Sequence, residues 1–149
     1  MTLLNNDLYS ESTRAGLPAI QPARGPGSVV PRTFTAAADT LPVGTPVCVV
    51  PTTGFMDICD PDEGTNAWET EIYGFVWPTA IVRSGSAEVI GTVMMKGSIA
   101  YSVVLALLTQ LTGTEQQLAN MLRKPAVQEG GLFIDGLTRA GGNAGLAFP

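Results

Sequence analysis

The chain contains no histidine, and that absence decides much of the chemistry open to it. Ser-His-Asp and Cys-His nucleophile activation both need an imidazole, as does the usual ligation of catalytic zinc. Two cysteines, Cys48 and Cys59, cannot fill a four-ligand structural zinc site, and their spacing is not that of a Cys-x-x-Cys redox pair. The opening residues lack the basic and apolar regions of a secretory signal, so buried free thiols are the expected state and a disulfide is the alternative. The stretch Gly91-Thr-Val-Met-Met-Lys96-Gly97-Ser98 has the look of a phosphate loop. Its lysine precedes the second glycine, however, and no helix start is predicted behind it, so it reads as strand-turn-strand. No residue is assigned a catalytic role, and no cofactor is expected.

The charged constellation is acidic. Asp57, Asp60, Asp62, Glu63, Glu69 and Glu71 follow one another with no Lys or Arg among them. Carboxylates at near-alternate positions can chelate a hard cation such as calcium, which makes Asp57, Asp60, Asp62 and Glu63 a weak metal-ligand set. Their spacing misses that of an EF-hand loop, and a solvated acidic loop is the favoured reading. Glycoside chemistry would need one carboxyl in an apolar pocket, which this loop does not offer. A partner meeting the loop would present a basic surface. Trp68 is a candidate interface anchor, while Trp77, beside a strand, suits the core at least as well.

These residues must be held by a chain of 149 residues with 45% hydrophobic and only 14% charged residues. That length suits one domain with one real core. So few charges, with 17 Gly and 11 Pro, imply many turns and surfaces that neighbours cover, the alternative being an ordinary domain with a mild surface. Net charge is −5, and the eight basic residues are scattered. Phosphate-backbone binding needs clustered positive charge, so direct contact with nucleic acid is not expected. The longest apolar stretch, 98–111, is too short and too interrupted to cross a bilayer, so no membrane association is expected.

Residues 1–33 carry four prolines and no sustained period, which predicts an extended N-terminal arm without its own core. Leu3, Leu4, Leu8, Tyr9, Leu17, Ile20, Val29 and Val30 punctuate the arm and call for a surface to lie on, in this molecule or the next. A floppy terminus is the alternative. From residue 34 the pattern becomes short Val-, Ile- and Thr-rich runs at 45–50, 55–58, 72–76, 79–83, 89–95 and 98–108, punctuated by glycine and proline. That predicts a mainly β domain over residues 34–149, a single β-barrel or β-sandwich. Turns are expected at 51–54 and at Lys96-Gly97. One short helix is expected near 114–124, where Thr114-Glu-Gln-Gln117 fits a capping box and Pro125 is the stop. A last strand is expected at 131–134.

The order of these elements resembles the small cement or decoration proteins that coat the capsids of tailed bacteriophages. The resemblance lies in Pro42-Val-Gly44-Thr-Pro-Val47, in Gly74-Phe-Val76 after an acidic loop, in 91–99 as a β-hairpin, and in the glycine-rich ending from Gly130 to Leu146-Ala-Phe148. It covers residues 34–149. It implies a barrel or sandwich that docks on the outer capsid lattice, as a homo-oligomer with the trimer favoured, and bridges neighbouring major capsid protein subunits. The product would be made in the host cytoplasm and end on the virion surface. The arm would lie along a neighbouring subunit, with Arg14, Arg24 and Arg32 as contacts to acidic capsid patches. The long arm and the helix depart from the family's pattern. The alternatives are another phage structural part, such as a tail-tube or head-completion subunit whose hairpin around Lys96 and Gly97 joins a ring's sheet, or a soluble domain that binds calcium or a small ligand.

Overall fold

The computed structural model describes residues 20–21, 28–62, 64 and 66–137. The chain is mainly β and forms a closed five-stranded barrel, with two smaller sheets and three short helices among the described residues. The barrel comprises β2 (Val29–Phe34), β4 (Pro46–Val49), β5 (Met56–Ile58), β6 (Gly74–Val76) and β8 (Val89–Met94), in the order β2-β5-β4-β6-β8. Strands β3 (Ala38–Leu41) and β7 (Ile81–Ser84) form an antiparallel ribbon. In the third sheet, β9 (Gly97–Ala100) lies between antiparallel β1 (Ile20–Gln21) and parallel β10 (Leu132–Asp135).

Alternation of side chains across a strand gives the barrel wall two apolar faces. Phe34, Val47, Met56, Val76 and Val93 fill the interior, joined by Leu41 and Ile81 from the ribbon. Cys48, Phe75 and Met94, from the opposite face of three of the same strands, build a second core with Ile99, Val104 and the helices. The turn at 51–54 joins β4 to β5 as expected, with Gly54 in the left-handed region at φ +76° that favours glycine.

Strand β2 crosses residue 33, where the sequence places the end of the arm, and it tolerates Pro31 through its register. Met95 N donates to the Ser28 carbonyl, and Pro31 stands opposite Thr92, so its missing N–H falls between the bonded pairs with β8.

Three expectations need correction. The hairpin predicted over 91–99 is absent, because β8 belongs to the barrel and β9 to another sheet, and the chain changes sheets at Met95–Lys96. The strand predicted at 98–108 stops at Ala100, where helix α1 (Tyr101–Leu105) begins. A continuous apolar run fits a buried helix as well as a buried strand, and Val104 is the residue that α1 buries fully. The helix expected near 114–124 does stop ahead of Pro125, at Leu122, but it is not the single helix expected, because Pro125 also starts another. It opens α3 (Pro125–Glu129) at the first helical position, where a missing N–H costs nothing. Helix α2 (Glu115–Leu122) has the predicted capping box, with Gln117 N donating to Thr114 Oγ1 at 3.2 Å and Thr114 N to Gln117 Oε1 at 2.8 Å. Its buried face carries Leu118, Met121 and Leu122.

Close packing at one glycine yields a direct test. A Cβ on Gly74 would strike Val93 Cγ1 and come within 2.6 Å of the Met94 carbonyl oxygen, a backbone atom of the next barrel strand. Gly74→Ala is expected to lower unfolding free energy by about 1–3 kcal/mol, measured by urea denaturation.

Candidate functional site

The most connected polar side chain lies where the sequence shows an isolated cation. Arg83 on β7 is 3% exposed and stands opposite Asp39 of β3. Its Nε and Nη2 donate to the two carboxylate oxygens of Asp39, both at 2.6 Å. Its Nη1 donates to Asp57 Oδ1 at 3.0 Å, Thr35 Oγ1 at 3.1 Å and the Thr35 carbonyl at 3.2 Å. The carboxylates of Asp39 and Asp57 push the guanidinium pKa above its ordinary value, Asp39 contributing most, while burial opposes them. A planar fork that meets a carboxylate in two parallel bonds is the strong form of this contact. With all three guanidinium nitrogens bonded within the protein, the cluster holds strands together.

That use of Asp57 divides the acidic set. Asp57 also accepts from Ile58 N at 2.8 Å, beside β4. Asp60 and Asp62 instead close local turns, Asp60 Oδ1 accepting from Asp62 N at 3.3 Å and Asp62 Oδ1 from Gly64 N at 2.7 Å. Glu63 lies outside the described residues. Among the described residues no three acidic or thiol groups are grouped as metal ligands. Burial pushes the Asp60 carboxyl above its usual range, helped by a hydrogen bond with the Asp62 side chain and by the charges of Asp62 and Glu69. Glu69 in turn accepts from Asn66 N at 3.2 Å, capping the short 3-10 turn Ala67–Thr70.

The two cysteines are free and buried, as the sequence leads one to expect. Both belong to the core outside the barrel. Burial is the main reason that the Cys59 thiol is pushed well up, reinforced by its hydrogen bond with Cys48. A thiol held neutral in this way is a poor nucleophile.

Of the interface candidates, Leu3, Leu4, Leu8, Tyr9, Arg14, Leu17 and Arg24 lie outside the described residues. Ile20 pairs with Ile99 through the backbone of β1. Arg32 is half-buried, its Nη2 donating to the Tyr73 hydroxyl at 3.1 Å and its guanidinium 5.7 Å from the Tyr73 ring centre. Trp68 and Trp77 both pack against the outer core. The Trp77 Nε1 is buried without a hydrogen-bond partner.

Two features escape the sequence reading. A groove of about 660 Å³ runs between α3 and β10, lined by Leu122, Val127, Leu132, Phe133 and Leu137 with Lys124 at its edge. Lys124 Nζ donates to Thr70 Oγ1 at 2.6 Å, so this lysine braces the 3-10 turn. The second feature is apolar surface. Ile90 on β8 is 76% exposed and Val82 on neighbouring β7 is 69% exposed. Alternation along β7 and β8 marks these positions as outward, but only the folded arrangement shows that nothing in the described structure covers them.

No protein-family model matches the chain, and no curated protein matches it.

Two predictions test the polar contacts. Arg83→Met leaves Asp39 and Asp57 unpaired and is expected to cost about 1–3 kcal/mol of stability, read by chemical denaturation; Arg83→Lys keeps the charge without the fork and should recover only part of the loss. For Asp60 the folded state favours the protonated carboxyl. Its stabilising contribution is full below the ordinary carboxylate range and is lost as pH rises through the raised value. Asp60→Asn keeps the oxygen that accepts from Asp62 N, so it should raise the melting midpoint at neutral pH and flatten its dependence across the mildly acidic range.

Proposed function

We propose that this protein is a structural subunit of a bacteriophage virion that binds the outside of the capsid lattice and stabilises it by bridging neighbouring major capsid protein subunits. The observation that carries the reading is the pair of outward aliphatic side chains, Val82 and Ile90, on neighbouring strands of a weakly charged β domain. Exposed apolar area on such a frame favours contact with another protein over solitude in water. The buried ion cluster supports the same direction, because Arg83, Asp39 and Asp57 are committed to bracing strands. The protein then acts by binding and has no bond-making role. Contacts that form only on the assembled lattice stabilise that state by mass action. A homo-oligomer, with the trimer favoured, would multiply weak contacts into stable occupancy. The rival ring-subunit reading drew on a hairpin around Lys96 and Gly97, and β8 and β9 do not pair.

The test is uptake by shells lacking the protein. Wild type should load in hundreds of copies per particle, whereas a ring component would load in dozens at most. Val82→Asp combined with Ile90→Asp should abolish loading while leaving the melting curve near that of wild type, because both side chains point to solvent. Deletion of residues 2–19 should lower occupancy if the arm contributes. Undiminished loading of the double variant would overturn the reading of this face.

A further inference from the structure

The weakest closure in the barrel lies beside its two thiols. Strand β5 has three residues. It pairs with β4 at three positions but with β2 at Phe34–Met56 alone, reinforced by Thr35 N donating to the Met56 carbonyl at 3.0 Å. Cys48 stands opposite Asp57 in the β4–β5 ladder, and Cys59 lies two residues beyond Asp57, so both side chains project from the same face. The ladder continues past β5, because Cys59 N donates to the Pro46 carbonyl at 3.0 Å. Cys48 Sγ sits 3.5 Å from the Asp57 carbonyl oxygen and 3.7 Å from that of Ile58, the peptide unit that leads into Cys59.

We propose that Cys48 and Cys59 form a modification site, closing to an intramolecular disulfide on exposure to a low-molecular-weight disulfide and thereby stapling β5 to β4. The two are diagonal neighbours across the β4–β5 ladder and share one buried cluster, a placement about 7–8 Å apart between strands, so closing to an S–S length of about 2.05 Å needs a local shift of a few ångströms. Both are sealed from solvent in the core between the barrel wall and the helices. Reaction therefore follows local opening where the end of β5 meets that outer core, which frees a thiol to ionise. One cysteine thiolate attacks a sulfur of the small disulfide, forming a mixed disulfide and releasing one small thiolate. The second cysteine thiolate attacks the protein-bound sulfur and expels the other. The two protons lost by the cysteines end on the two small thiols, the protein is oxidised by two electrons and the small disulfide is reduced. The cross-link closes a short loop that contains the 51–54 turn, and it restrains the strand that completes the barrel. This inference is independent of the capsid reading.

The full-length protein would be incubated with oxidised glutathione in sub-denaturing urea, returned to buffer, and compared with its reduced form. The expected product is a monomer lighter by two hydrogens, without titratable thiols on denaturation. Its melting midpoint should be several degrees higher, an increase that dithiothreitol reverses. Cys48→Ala should instead accumulate a single glutathione adduct. Should that variant fail to fold, the mass and thiol count of the wild type decide alone. Two persistent thiols, glutathione adducts on the wild type, disulfide-linked dimers, or a disulfide form that melts lower would each overturn the proposal.

Discussion

One guanidinium holds together strands that are distant in sequence. Arg83 reaches Asp39, Thr35 and Asp57, separated from it by 44, 48 and 26 residues. Its bonds therefore tie the end of β2, the ribbon strands β3 and β7, and the short strand β5. The arrangement works because each guanidinium nitrogen has an acceptor and the two carboxylates keep partial contact with water, at 39% and 36% side-chain exposure. A fully sealed triad would carry a larger desolvation cost for the same attraction.

Around this tie the barrel wall is shared by two cores. Val47 and Cys48 are neighbours in sequence, yet one faces the interior and the other the helices. The same holds for Phe75 and Val76, and for Val93 and Met94. Strands buried on both faces lose their polar alternation, which is why these segments read as plain apolar runs. A short wall used twice lets a chain of this size bury large side chains in two places while remaining poor in charge.

The parts legible in the sequence are those decided by local chemistry. The capping box at Thr114, the turn ending at Gly54 and the positions of most strands follow from residues close to one another. Pairing between strands does not. Nothing near Lys96 indicates that β9 leaves the barrel to join β1 and β10, because partner choice is settled by long-range packing. Helix α1 was hidden for a related reason, as uniform hydrophobicity erases both periods at once. Of the acidic loop, the sequence shows the density of charge but not its division into an Arg83 ligand and a pair of turn-closing carboxylates. The buried cysteines were legible, whereas their adjacency depends on the β4–β5 register.

The position of β1 has a mechanical consequence. Ile20 and Gln21 are hydrogen-bonded to β9, whose other edge carries β10, and β9 continues into α1. Tension applied to the chain ahead of Ile20 would thus be delivered first to the three-stranded sheet and its helical cap, and would reach the barrel only through the residues that follow Gln21. Two backbone pairs make a weak clamp under load, and it would release before any barrel strand is strained.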